Sequence, residues 1–189
     1  MLCKHDIVHH GKADTTITNV ADVDVECPQD VLKLLDIATS NRAVASTKMN
    51  DRSSRSHCIF TMRIIGTNDR IKQRSYGGLC LVDLAGSERV NESQVKGQQF
   101  KEAIAINKSL SYLGDCINAL GSGSVPAWRN CRLTNLLQNY LAGDGAKMLM
   151  FVMVSNRNEH VSETLNSLRF AAKANVTQIG TAKKTVLQL

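Results

Sequence analysis

Proline is nearly absent from this chain of 189 residues, with two in all, and aromatic residues make up only 4%. So few prolines exclude a proline-rich linker, and no stretch is low in complexity. So few aromatics, none interleaved with basic residues, argue against a protein that stacks single-stranded bases. Long hydrophobic runs are missing too. The longest, residues 148–154 (MLMFVMV), is far too short to cross a bilayer. The opening residues, MLCKHDIVHH, hold no apolar segment of the kind a secretory signal needs. The expectation is a soluble, intracellular protein.

The six cysteines (3, 27, 58, 80, 116 and 131) are widely separated, so none forms the CxxC spacing of a zinc or redox site. Cys27, Cys58, Cys80 and Cys116 lie within or beside apolar patterns, where a reduced thiol serves as a small core residue. His5, His9 and His10 sit in a polar, fraying terminus without a partner cluster, and no metal is expected there. No heptad repeat is sustained, so no coiled coil is expected.

What is present is enough apolar material, 43%, for a real core, and a formal charge of +6 with a pI near 9.1. A basic balance favours an acidic partner, whether nucleic acid, anionic membrane or protein surface, and charge alone does not choose. Short strands are expected within residues 5–26 around a turn at Gly11. Pro28 opens a helix whose apolar face runs through Val31, Leu32, Leu34, Leu35, Ile37 and Ala38 and which fades near Ala45. Strands follow at 58–65 and 77–84, with a turn at 66–70. The second is apolar on both faces and reads as central in a sheet. Helices are expected over 100–120, 132–141 and 163–175, with a buried strand at 148–154. The alternation argues an α/β fold with a layered sheet.

Two polar segments carry chemistry. In LCLVDLAGSE, residues 79–88, an apolar strand runs into Asp83 and Gly86 follows three positions later. Nucleotide switches need a carboxylate at a strand end for a magnesium shell and a glycine whose N–H can approach a γ-phosphate. By itself DxxG is short, and an ordinary strand ending in a turn explains it as well. The second segment, NDRSSRSH at 50–57, packs three serines, two arginines and an asparagine into eight residues. Hydroxyls can ligate magnesium and an arginine can pair with a carboxylate, although a solvated polar loop would look similar.

Together these strings resemble switch I (NDRSSRSH) and switch II (DLAGSE) of kinesin motor domains. AINKSLSYLGDCINAL resembles the relay helix of that family, and RLTNLLQNYLAGDGAKMLMFVMVS the helix, turn and strand that follow. ETLNSLRFAAKAN, at 163–175, is similar to the last helix of the C-terminal-motor, minus-end-directed group. The resemblance covers residues 4–176, so 1–176 is expected to be the C-terminal part of a motor domain and 177–189 a tail. It implies a partial kinesin-type P-loop NTPase fold, a mixed central sheet flanked by helices, without the P-loop strand and helix.

Residue by residue, the resemblance implies that Ser54 ligates magnesium and that Asn50 and Ser53 surround the γ-phosphate and the lytic water. Asp83 would contact the magnesium shell through water and Gly86 would sense the γ-phosphate. Arg55 and Glu88 would form the salt bridge that closes the site, a role suited to the guanidinium fork. Asn107 would link nucleotide state to the track. Lys96, Lys101, Lys108, Arg129 and Arg132, with Asn107, would face the acidic surface of a microtubule, where cations raise association rate and salt weakens binding. Taken singly, each of these lysines and arginines reads equally as a solvated surface charge.

No GxxxxGK[ST] occurs; the one Gly-Lys, Gly11-Lys12, is followed by alanine and lacks the upstream glycine. ATP and magnesium are therefore expected to belong to the complete motor domain and to bind this chain alone weakly or not at all, and the isolated chain is expected to be poorly soluble. Ala105 stands where many kinesins carry asparagine, and VPAWRN at 125–130 has one residue more than VPYRN of relatives. The favoured reading is an ATP-driven microtubule motor seen in part. A non-catalytic kinesin-like subunit, paired with a true motor, is the alternative, and an unrelated P-loop switch protein is remote. Tubulin and a second kinesin or kinesin-like subunit are the expected partners, with no nucleic acid or membrane. The expected location is the cytoplasm and its microtubules, the spindle included.

Overall fold

Three apolar helical stripes meet and make the core. In a computed structural model that describes residues 4–10, 14–44, 53–87, 97–143, 145–177 and 185–188, helix α1 spans Pro28–Val44, α2 Gln98–Gly121, α3 Arg132–Ala142 and α4 Val161–Asn175. Leu113 and Ile117 of α2 pack with Leu133, Leu137 and Leu141 of α3 and Ala174 of α4, all buried. Burying one such aliphatic side chain contributes about 2 kcal/mol. Close approach of α2 and α4 depends on Gly114, where an added Cβ would lie 3.0 Å from the Phe170 ring.

Local chemistry sets the helix starts. Pro28 occupies the first position of α1, and Asp30 reaches back to accept hydrogen bonds from the amides of Glu26 and Cys27. The Cys27 thiol, which also donates to Asp30, and those amides hold the Asp30 carboxyl below its usual range. Helix α3 is capped by sulfur: Cys131 Sγ accepts from the Thr134 amide at 3.5 Å. The Thr134 hydroxyl, fully buried, donates to the Trp128 carbonyl at 2.6 Å. Gly97 precedes α2 with φ of 73°, a conformation open to glycine.

Strands β1 (Ile7–His10) and β2 (Asp14–Ile17) form an antiparallel hairpin; its expected turn at Gly11 lies outside the described residues. This terminus is tied down rather than fraying. His9 bonds Thr15 and, at 2.9 Å, Asn135 of α3, while His5 and His10 bond Thr18 and Thr16. No cluster of three metal-ligating side chains occurs among the described residues.

Strands β3 (Cys58–Asn68) and β4 (Gln73–Asp83) pair antiparallel over eleven residues each, so the hairpin runs past the turn expected at 66–70. Gly66, expected in the turn, and the polar residues 73–76, before the expected second strand, are in the ladder; an added Cβ at Gly66 would meet Ser75 Oγ at 2.7 Å. Within the expected tail, β5 (Thr185–Gln188) pairs antiparallel with 73–76 of β4. Every pairing among the described residues is antiparallel.

β4 is central only where β5 covers it. From Gly77 to Asp83 its second edge pairs with no described strand, and Leu79 and Leu81 are 42% and 47% exposed on the face away from the helices. Ile59 and Cys80, on the opposite face, pack against the helical core. Residues 148–154 depart further from expectation. They form no strand, and no backbone hydrogen bond joins them to a described residue. The side chains alternate as a strand's would: Met148 and Met150 rest on the core, while Leu149, Phe151 and Met153 are 79%, 76% and 81% exposed. An unbroken apolar run reads as a strand covered on both faces, but a strand also needs a neighbour to bond, and none is described here. Cys27 is likewise exposed rather than core. The chain exposes 14333 Å², against about 8,900 Å² for a compact monomer of its mass.

Candidate functional site

The serine-rich segment and the aspartate-ended strand lie side by side because β3 and β4 are register partners. Cys58, the first residue of β3, faces Asp83, the last of β4, so the segments flanking them meet at one end of the hairpin. Residues Ser53–Arg55 form a short 3-10 turn. The Gly86 amide donates to the Ser54 carbonyl at 2.8 Å, joining the two loops through backbone.

Arg42, in the last turn of α1, is the second bond between them. Its Nη1 donates to Asp83 Oδ2 at 2.5 Å, its Nη2 to the Ser56 carbonyl at 2.6 Å and its Nε to Ser56 Oγ at 3.4 Å. The guanidinium fork thus spans both loops, a geometry a lysine could not copy. Sequence reasoning missed this residue. Its signal was faint, a single arginine at the end of an amphipathic helix.

His57 closes the arrangement beneath. Its Nδ1 accepts from the Ala85 amide at 3.1 Å and its Nε2 meets Ser109 Oγ of α2 at 2.7 Å. Burial pushes the imidazole below its ordinary pKa and the Arg42 charge lowers it further, with Asp83 pulling the other way. Burial also pushes the Cys80 thiol, on the helix-facing side of β4, up to about 11.

Of the residues expected to act on nucleotide, Ser54, Arg55, Asp83 and Gly86 are therefore neighbours in two adjoining loops. Arg55 has one guanidinium nitrogen, Nη1, buried without a hydrogen-bond partner among the described residues. Asn50 and Glu88 lie outside the described residues, and only the backbone of Ser53 is described. The Gly86 amide and the Asp83 carboxylate, both expected to face a phosphate or its metal, have partners within the chain. A serine hydroxyl and a carboxylate are hard oxygen donors that suit magnesium, with the remaining coordination left to water and phosphate.

Of the residues expected to face a track, Lys101 and Lys108 are exposed and two turns apart on α2, so they share a face. Lys108 Nζ sits 5.7 Å from the Tyr112 ring centroid, and Asn107 is half-buried beside it. Arg129 and Arg132 are exposed at the entrance to α3. Lys96 lies outside the described residues.

Comparison with known proteins gives the fold its family. The kinesin motor domain family model matches residues 2–177. Kinesin-like protein 2 of Schizosaccharomyces pombe is 52% identical over 186 residues, 96% of this chain and 22% of that protein. A solved structure of the C-terminal motor and motor homology domain of Kar3Vik1, fused to a synthetic heterodimeric coiled coil, is 48% identical. It superposes with a TM-score of 0.81 over 92% of this chain and 45% of that one. A KIF14 dimer with AMP-PNP on a microtubule is 33% identical, TM-score 0.83, over 95% of this chain and 51% of that one. The chain thus spans about a quarter of such a full-length relative and about half of such a solved chain. It belongs to the kinesin motor-domain family, beside the C-terminal-motor kinesins.

Proposed function

We propose that this chain is the switch-bearing, track-facing part of an ATP-driven microtubule motor. The observation that carries the reading is the convergence of the two loops: the Gly86–Ser54 bond and the Arg42 bridge bring Ser54 and Asp83 to one corner of the hairpin. In a complete motor domain Ser54 and Asp83 would hold magnesium, directly and through water. Asn50, Ser53 and Gly86 would surround the γ-phosphate. Magnesium bound there supplies charge neutralisation at the phosphate. Arg55 would meet Glu88 when the site closes, and its unpartnered buried nitrogen supports that reading.

These 189 residues contain no GxxxxGK[ST] loop of the kind that cradles a triphosphate. The bare side chains of 149, 151 and 153 and the edge of β4 that pairs with no described strand support the remainder of a motor domain being their cover. Helix α2 and the segment up to Arg132 would lie against tubulin, with Lys96, Lys101, Asn107, Lys108, Arg129 and Arg132 in contact. A microtubule-bound kinesin among the structural neighbours, and one assembled with a second kinesin-like chain, support these partners and a cytoskeletal location.

Microtubule co-sedimentation and nucleotide titration test both halves of the reading. The purified chain should pellet with microtubules, severalfold less tightly as salt rises from low to physiological. It should show no saturable ATP binding in the micromolar range. Failure to pellet at any salt overturns the track-facing assignment, and micromolar ATP binding overturns the missing-cradle argument. A chain that pellets, yet gives no ATP hydrolysis when the remaining half of a motor domain is added, favours a non-catalytic subunit.

A further inference from the structure

We propose that His57 is a positioning residue that fastens the loop carrying Gly86 to helix α2, so that the two move as one body. This inference rests on the reading of α2 as the track-facing helix and adds to it the part that transmits.

The bond directions are fixed by what each group has to give. The Ala85 amide can only donate, so His57 Nδ1 is the bare, accepting nitrogen at 3.1 Å. The imidazole proton then sits on Nε2 and is donated to Ser109 Oγ at 2.7 Å. The Ser109 hydroxyl has one proton of its own and donates it to the Ile106 carbonyl at 2.7 Å, which leaves its lone pairs for the histidine. Three donors therefore point the same way along one chain: Ala85 amide, His57 ring, Ser109 hydroxyl, ending on the carbonyl just before Asn107 and Lys108. An imidazolium would carry a proton on both nitrogens and could not accept from Ala85.

The position of His57 makes this chain a link between moving parts rather than a local brace. The residue follows the 3-10 turn Ser53–Arg55 and precedes the first residue of β3. Its acceptor side holds Ala85, the residue before Gly86; its donor side holds the middle of α2. The loop's other described hydrogen bonds, Gly86 to Ser54 and Asp83 to Arg42, lead to the 3-10 turn, which itself touches α2, and to α1; the ring is the described side chain that bonds the loop to α2. The imidazole is thus a direct hydrogen-bonded route by which a displacement at Gly86 would reach α2.

Ser109→Ala tests the link at the end remote from the loop, with a small change on a helix that alanine suits. Amide hydrogen exchange would be read at residue level on the full chain at low micromolar concentration, beside microtubule pelleting of the same samples. The expected result is roughly fivefold faster exchange at Ala85, the scale of one released hydrogen bond. The Gly86 amide should hold its wild-type rate, and Ser109→Thr, which keeps the hydroxyl, should restore Ala85. Microtubule affinity should fall about fivefold in Ser109→Ala and recover in Ser109→Thr.

Unchanged exchange at Ala85 overturns the inference, because α2 and the loop are then not linked through the ring. An equal rise at Gly86 and along β4 also overturns it, as general loosening. Faster exchange at Ala85 with unaltered pelleting reduces His57 to a structural brace and overturns the positioning role. If no form of the chain pellets, the functional reading falls, and the exchange rates alone decide whether the link exists.

Discussion

Two apolar surfaces of similar composition meet different fates in this molecule. On the helical side, Ile117, Leu133 and Leu137 are nearly inaccessible to water, packed among three helices. On the other side, Leu149, Phe151 and Met153 stand three-quarters or more exposed on an extended segment that already has its other face against that same core. Side-chain chemistry does not separate the two groups. What separates them is a neighbour: helices satisfy their own backbones and need only side-chain contacts, whereas an extended segment needs another strand for both bonds and cover.

The sharpest way to break this comparison is to truncate one residue from each side. Ile117→Ala should destabilise the chain by about 3 kcal/mol, the usual cost of a cavity in a helical core. Phe151→Ala should change stability by about 0.5 kcal/mol or less, because the ring is already in water. Trp128, the single tryptophan, packs against the core and reports the denaturant midpoint by its fluorescence. Equal losses at the two sites would show that Phe151 is covered in solution.

A second test reads association rather than stability. Exposed apolar edges invite self-pairing, so the wild-type chain should grow in scattering intensity with concentration. Leu149→Ser with Phe151→Ser should lower that growth severalfold, leaving the helical content measured by circular dichroism unaltered. Scattering that is the same in both proteins would mean that the bare face does not drive association.

The smallest effect separates a thiol facing the core from one in water. Cys80 points at the helices, and burial raises its thiol to about 11, so almost none of it is thiolate at neutral pH. Cys27 is exposed. Alkylation near pH 7.5 should modify Cys27 well before Cys80, with mass spectrometry of the digested chain giving the order. Labelling of both at one rate would place Cys80 in water.

The switch strings and the four helices were legible in the sequence because each is a local pattern: a run of polar residue types in order, or apolar residues at three and four spacing. The hairpin's reach was not, since 66–70 read as a turn and the polar 73–76 carry no strand signal until the partner strand is known. The unbroken apolar run at 148–154 read as a buried strand, and the structure shows neither strand nor full burial, for the neighbour that would bond and cover it is a non-local fact. Arg42 and His57 escaped for opposite reasons. One stands far in sequence from the loop it bridges, and the other, inside the motif, carries contacts that appear only when β4 and α2 are brought to it.

The partners already held by Gly86 and Asp83 bear on how any anion or metal would arrive at this corner. An anion reaching the Gly86 amide would have to displace the Ser54 carbonyl, whereas Arg42 holds Oδ2 of Asp83 and a metal's water could meet the other carboxylate oxygen. Affinity then measures a difference between two sets of contacts, and the speed of capture is set by how often the incumbent pair lets go.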